Sequence, residues 1–352
     1  MNMTTPDHFR DQILGAAAGG GKLRLRGGGS KDWYGQGCEG ELLDTRGYAG
    51  IVDYEPTELV ITARCGTPLA EIEAALAERG QMLAFEPPHF GGATFGGAIA
   101  SGLSGPRRAS AGAVRDFVLG TVLMDGAGQT LTFGGQVMKN VAGYDVSRLL
   151  AGSMGTLGLL LQASVKVLPR AVRETSVRFA MSEIDALERL NMWGGQPLPI
   201  SASCWHDGML TLRLSGAGAA VDAAERLLGG APVPDADAYW ASLREQRHAW
   251  FAGADSLWRL SVPSATGAII LRGEQLIEWG GAQRWLKAAS DSATAQNIRR
   301  AVKAVGGHAT LFRGGDKSVG VFQPLAPAVA AIHQRLKASF DPSQVFNPGR
   351  MY

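Results

Sequence analysis

Apolar residues recur along this chain with two periods, and the switch between them sets out its elements. Thr5-Pro6-Asp7 reads as an N-cap and first helical turn, and the run Gly19-Gly20-Gly21 ends that helix. Lys22 to Arg26 alternates polar and apolar with period two, which predicts a strand, and Leu59 to Ala63 predicts another. Thr67-Pro68 opens a helix that carries Leu69, Ile72 and Leu76 on one face and stops at Gly80. Phe117 to Met124 and Thr130 to Phe133 flank Asp125-Gly126, a hairpin signal, and a strand from Leu159 to Val167 stops at Pro169.

After Arg170 the glycine-rich loops give way to a βαβ-like alternation with hairpins. Ser201 to Trp205 and Met209 to Leu214 flank Asp207-Gly208, with helices over Ala219 to Leu228 and Tyr239 to Phe251. Short Trp- and Leu-rich runs fill 256–286, and Ala293 to Val305 predicts a helix. A last helix over Pro327 to Phe340 precedes the loop Phe346-Asn347-Pro348-Gly349-Arg350. The change of texture places a domain boundary near residue 170, and no internal repeat is visible.

With 352 residues, 45% of them hydrophobic, the chain can bury two or three packed cores. Its 48 glycines are about twice the usual share and cluster without a period, which excludes a collagen-like reading. Net charge is +2 with both signs mixed, and no basic stripe carries interleaved aromatics, so nucleic acid is not an expected partner. Cys38, Cys65 and Cys204 lie too far apart for a C-x-x-C pair and are too few for a four-thiolate cluster; such sparse use fits a reducing compartment. No basic segment followed by an apolar core marks an N-terminal signal, and the longest apolar run, near Leu157 to Leu161, is too short for a bilayer. The expectation is a soluble cytoplasmic protein.

The candidate chemistry lies in two glycine clusters. The first is Arg26-Gly27-Gly28-Gly29-Ser30-Lys31; the second runs from Gly91 to Gly105 and includes Thr94, Gly96, Gly97, Ser101 and Gly102. Glycine lets backbone N–H groups approach an anion and permits turns with φ > 0, so two such loops suggest a diphosphate gripped from two sides. Each alone also reads as a tight turn, and Arg26 and Lys31 either face a phosphate or cap the strand. A nucleotide-triphosphate loop at Gly15 to Lys22 fails, because Ala16 stands for the required glycine and Leu23 for the metal-binding hydroxyl. A nicotinamide-type fingerprint fails as well, since Asp32 falls where its third glycine belongs. The polar stretch Lys139 to Asp145, with Asn140, Gly143 and Tyr144, leads into a short helix and then Gly152 to Gly158. It reads as a third wall of the site, with Gly155 and Gly158 allowing close approach, or as a helix with glycine caps.

The segments Arg26 to Lys31, Pro87 to Arg108, Arg115 to Gly120 and Gly134 to Pro169 resemble the FAD-binding fold of the vanillyl-alcohol oxidase/PCMH flavoprotein superfamily. Tyr54 to Arg64, Gly135 to Asp145 and the ending Phe346 to Tyr352 resemble the FAD-binding E subunits of bacterial glycolate oxidases, and the similarity covers nearly the whole chain. The resemblance implies an α+β fold: a two-subdomain PCMH-type FAD-binding domain (1–170), a smaller α+β cap (171–325) and a C-terminal segment (326–352) returning to the flavin. It implies that both glycine loops hold the FAD diphosphate, that residues from Lys139 to Gly158 flank the flavin and adenine portions, and that Asn347 and Arg350 fold back onto the flavin. Ser30 stands where covalent members carry histidine, so non-covalent FAD is implied.

Function implied by the resemblance is that of a flavin-carrying subunit in a glycolate (2-hydroxy acid) oxidase complex, with an autonomous FAD-dependent D-2-hydroxy acid (glycolate or D-lactate) dehydrogenase and a scaffold subunit with a vestigial flavin site as the alternatives. A D-type flavin subunit and an iron–sulfur F-type subunit are the implied partners, with peripheral attachment at the inner membrane through the complex. Any iron–sulfur relay belongs to a partner, since this chain has no cysteine cluster. Oxidising a 2-hydroxy acid needs a cation for the carboxylate, a base for the hydroxyl proton and a hydride acceptor. Related dehydrogenases carry an H-x-G-D-G-N metal motif; Trp205-His206-Asp207-Gly208-Met209-Leu210 keeps only part of it and lacks the companion histidine, so no metal site is expected. His308 and His206 are the candidate bases, beside the reading of His206 as a turn residue. His89 adjoins the second loop, while His8, His248 and His333 read as surface or packing residues. Arg107 and Arg108 suit a phosphate, a carboxylate or an acidic partner surface; Trp279 and Trp285 suit a partner contact or the core.

Overall fold

The computed structural model describes residues 5–135 and 145–351. Two compact units form: Met1–Ser104, Gly112–Pro169 and Pro324–Tyr352 make the first, Gly105–Ala111 and Arg170–Gln323 the second. The short segment Gly105–Ala111 thus leaves one unit for the other and returns, an excursion with no signature in the hydrophobic pattern.

In the first unit, β1 (Leu23–Arg26) and β2 (Glu41–Asp44) pair in parallel. A parallel pair cannot be closed by a tight turn, so residues 27–40 form a long crossing loop of the kind that compact domains keep for function. The C-terminal tail runs along β1: Leu23 and Phe346 form a parallel bridge, Leu23 N donates to Val345 O, and Asn347 N donates to Leu23 O. Val345 and Phe346 are fully buried with Phe9 and Ile13 of the first helix, Leu43 and Met124. Burying one such phenyl ring is worth about 1.5–3 kcal/mol, which anchors the tail.

The rest of this unit contains β3 (Ile51–Glu55), β4 (Val60–Arg64), β5 (Gln81–Met82), β6 (Val118–Met124), β7 (Thr130–Gly134), β8 (Leu159–Lys166) and β9 (Leu168–Pro169). Among the described residues, β3-β4-β8-β6-β7 make an antiparallel sheet and β5 pairs with β9. The predicted Asp125-Gly126 hairpin joins Met124 to Thr130 through a longer loop, in which the Asp125 carboxylate accepts from the amides of Ala127 and Gln129.

The second unit contains β10 (Arg173–Ala180), β11 (Ile200–His206), β12 (Met209–Gly216), β13 (Ala231–Pro232), β14 (Ser256–Ser261), β15 (Glu274–Glu278), β16 (Gln283–Lys287) and β17 (His308–Gly314). They form one sheet in the order β13-β10-β12-β11-β15-β16-β14-β17. The expected βαβ alternation is corrected here, because every neighbouring pair is antiparallel. β10 and β11, joined through helix Glu183–Gly194, run parallel, but β12 lies between them. Asp207 and Gly208, at φ 50° and 73°, supply the two positive-φ positions of a type I′ turn, which folds β12 back into that place.

The same permutation occurs twice. Strands β10 to β13 lie in the spatial order β13-β10-β12-β11; β14 to β17, read from the opposite edge, lie in the order β17-β14-β16-β15. A helix follows the third strand in each half, Gly218–Leu228 and Ser292–Ala304. This repeat was invisible in the sequence because residues 262–273 replace the helix that joins the first two strands of the other half. The helix expected over Tyr239 to Phe251 is also divided. It ends at Arg244, Gln246 takes φ 49°, and Ala249–Phe251 forms one 3-10 turn whose Trp250 amide donates to the His248 imidazole.

Candidate cofactor site

The crossing loop 27–40 and the second glycine cluster meet within the first unit. A Cβ placed on Gly28 would lie 1.5 Å from Gly92 O, and one on Gly27 would lie 2.1 Å from Thr94 Oγ1. Glycine at these two positions is therefore demanded by the approach of one loop to the other. Thr94 caps helix Phe95–Ser101 by accepting from Gly97 N, Gly102 ends it with φ 66°, and Ser101 Oγ donates to Ala98 O.

Between the loops lies a cavity of about 230 Å³, lined by Arg26 to Lys31, Thr94, Gly97, Ser101, Asn347 and Arg350 from the expected set. Arg24, Asp32, Tyr34, Cys38, Ala100 and Met154 line it as well. A smaller pocket of about 80 Å³ shares Arg26, Gly27, Gly97, Met154 and Asn347 with it and adds Gly96, Gly155, Gly158, Thr45 and Cys65. Burial pushes the Cys65 thiol well up, so it stays protonated. Lys139, Asn140, Gly143 and Tyr144 lie outside the described residues. Asp145 caps the short helix Val146–Leu150 through Arg148 N and pairs with the Arg148 guanidinium at 3.0 Å.

Asn347 uses both polar atoms of its side chain on backbone, and Arg350 reaches two carbonyls and the Cys38 thiol. Asn347 Oδ1 accepts from Leu25 N at 2.8 Å and its Nδ2 donates to Met154 O at 2.7 Å, tying β1 to the Gly152–Gly158 loop. Arg350 Nη2 donates to the carbonyls of Lys31 and Asp32, and Arg350 O accepts from Gln36 N. Lys337 adds a third tie, donating to Thr156 O and Phe346 O beside the Asp341 carboxylate. Lys31 Nζ reaches Ser30 Oγ and His89 O and lies 5.5 Å from the centre of the Phe90 ring. His89 itself pairs with Glu73 at 2.9 Å.

The cavity lining carries four cations, Arg24, Arg26, Lys31 and Arg350, against one carboxylate, Asp32. The buried Nε of Arg24 has no hydrogen-bond partner in the structure, and Arg26 Nε faces the Asp32 carboxylate. A narrow, cationic, glycine-walled cleft fits a diphosphate. Arg24 was missed by the sequence reading, although its i, i+2 spacing from Arg26 on a strand places both on one face. Cys38 and Met154 gave no such signal, since only long-range folding brings them in.

The candidate bases lie in the second unit. His206 Nδ1 is 3.1 Å from Asp207, and its ring stands 4.8 Å from that of His248, the neighbour its own sequence motif lacks. Burial first, and His206 second, lower the His248 pKa. His308 begins the edge strand β17; desolvation and then Arg259 hold its imidazole below the usual value. Among the described residues, no group of three or more His, Cys, Asp or Glu is arranged to hold a metal. Arg107 is buried against Glu174 at 2.6 Å and Ser215 at 3.0 Å, so it serves a carboxylate of its own unit. Arg108 lies 4.4 Å from the ring centre of Trp279, whose indole donates to Gly105 O; Trp285 is likewise buried and donates to Glu278. Both tryptophans are core residues.

Residues 2–134 match the family model of an FAD binding domain. Over 343 residues the chain is 50% identical to glycolate oxidase subunit GlcE of Escherichia coli (strain K12), covering 97% of this chain and 96% of that one. It is 31% identical over 136 residues to glycolate oxidase subunit GlcD of Bacillus subtilis (strain 168), covering 39% and 29% of the two chains. A solved structure of p-cresol methylhydroxylase with substrate bound aligns with TM-score 0.74 at 14% identity, over 99% of this chain and 87% of that one. The family match and the Escherichia coli relative make the chain an FAD-dependent oxidoreductase, and its fold is that of p-cresol methylhydroxylase. Within that class, the chain belongs to the GlcE family of glycolate oxidase subunits.

Proposed function

We propose that this chain is the E-type FAD-carrying subunit of a complex that oxidises glycolate and related 2-hydroxy acids. The observation that carries this reading is the cationic cleft between two interlocked glycine loops, in a chain that matches a glycolate oxidase subunit along nearly its whole length. Arg26 to Lys31 with Thr94, Gly96, Gly97, Ser101 and Gly102 would hold the diphosphate. Lys139, Asn140, Gly143, Tyr144, Asp145, Gly155 and Gly158 would flank the rest of the cofactor. Asn347 and Arg350 would hold the loops in register from behind. When bound, FAD supplies the hydride acceptor for alcohol oxidation.

Ser30 offers no imidazole for attachment, so the flavin is held non-covalently. A D-type flavin subunit and an iron–sulfur F-type subunit would complete the complex, the latter carrying electrons onward. No helix among the described residues is long and apolar enough to cross a membrane, so attachment to the inner membrane would be peripheral and through the complex.

Purifying the chain alone tests the reading. The expected product is yellow, releases FAD on denaturation and is not bleached by glycolate, which leaves substrate turnover to the D-type partner. Bleaching by glycolate or D-lactate would assign turnover to this chain, with His308 or His206 as the base. A colourless chain that still assembles with its partners would sink the flavin-carrying role.

A further inference from the structure

The phosphate loop carries its own anion. Asp32 is the one carboxylate among the residues lining the cavity, and its Oδ2 lies 2.7 Å from Arg26 Nε. Its backbone is pinned on both sides: Asp32 N donates to Gly29 O at 3.1 Å, and Asp32 O accepts from Arg350 Nη2 at 2.9 Å. Gly29, with φ 72°, gives the Arg26 guanidinium room to fold back toward Asp32; a Cβ there would lie 2.4 Å from Arg26 Nη2. The loop therefore closes on itself through an ion pair made by a cation that faces the cleft.

We propose that Asp32 is the built-in counter-ion of this loop and sets how tightly the cleft takes an anionic cofactor. The inference rests on the placement of the FAD diphosphate at residues 26–31. In the closed loop Arg26 is neutralised by Asp32, and a diphosphate arriving there must share or displace that partner. The carboxylate also adds a negative charge beside the two the ligand brings, and both effects weaken binding. In return, Arg26 is kept in one place when no anion is bound. Asp32 is thus an affinity-tuning residue with no part in the redox chemistry.

The test uses the full chain freed of flavin, with FAD and ADP as probes, the latter reading the adenosine-diphosphate end without the isoalloxazine. Dissociation constants are measured for the parent, Asp32→Asn, Arg26→Gln and the double variant, with thermal melts to confirm folding and Asp32→Ser as a second replacement. Asp32→Asn should tighten both probes by about threefold to tenfold, the range open to a half-exposed ion pair. In the Arg26→Gln background the gain should fall below about twofold, because Asp32 acts chiefly by occupying Arg26. Unchanged or weaker binding by a folded Asp32→Asn overturns the proposal. If FAD binds but ADP does not compete and Arg26→Gln leaves FAD affinity intact, the diphosphate is not at this loop, and the underlying placement fails instead.

Discussion

The two units gather charged side chains around different things, one around a partly buried carboxylate and the other around an open cleft. In the second, charges neutralise one another: Arg107 and Arg213 converge on Glu174, which also accepts from Ser215. Glu278 there accepts from Gln283 and the Trp285 indole. In the first unit, Asn347 and Lys337 hold backbone, while Arg24, Arg26, Lys31 and Arg350 line one cleft against the single carboxylate of Asp32. An excess of positive charge around interlocked glycines makes a receptor for an anion.

The sharpest way to break this contrast is Gly28→Val, whose Cβ would meet Gly92 O at 1.5 Å and force the loops apart. Flavin retention should be lost completely, read as flavin absorbance per protein after gel filtration. Gly97→Ala meets only the Thr94 hydroxyl, at 3.0 Å, and should keep most of its flavin. Equal loss in both variants would mean that loop approach is not what shapes the cleft.

A smaller and complementary effect belongs to Glu174→Gln, which leaves Arg107 and Arg213 facing a neutral group. Removing one partner of a buried pair costs about 3–5 kcal/mol, and since Glu174 is 28% exposed about half of that is expected, as a lower melting temperature with flavin affinity unchanged. Desolvation raises the Glu174 pKa, but Arg213, Ser215 and Arg107 together outweigh it and leave it below the ordinary value of 4.5. A depressed carboxyl stabilises the fold above its unfolded value. The advantage over Glu174→Gln should therefore be full above about pH 5 and fade as pH falls through the lowered pKa. A constant difference across that range would remove Glu174 from the charged network.

The smallest effect concerns thiols. Cys38 lines the cleft and is half-buried, whereas Cys65 and Cys204 are buried. Alkylation of the native, flavin-free chain should modify one thiol quickly, and added FAD should slow it several-fold, as read by mass spectrometry of labelled peptides. Labelling at Cys38 that ignores FAD would place the cofactor elsewhere.

Much of the local structure was legible. The helix at Pro6–Ala18, the period-two strand at Leu23–Arg26 and the positive-φ turn at Asp207-Gly208 each follow from neighbours in sequence. What failed was long-range. The order β10-β12-β11 converts an apparent βαβ unit into an antiparallel sheet, and Gln246 breaks a helix that its apolar spacing favours. Arg24 was within reach, being two residues from Arg26 on a strand. Asp32 was read only as a missing glycine, and its pairing with Arg26 depends on how the loop folds back.

Two glycine clusters, few thiols, little net charge and a family resemblance are all written in the order of residues. Those are properties of residue type and spacing, which no folding is needed to read. Packing, in contrast, sets Gly28 against Gly92, brings the tail to the back of the loop and gives Arg107 to the second unit. Each of these joins residues far apart in the chain. Whether they meet is set by the packing of whole elements, to which no local pattern is sensitive.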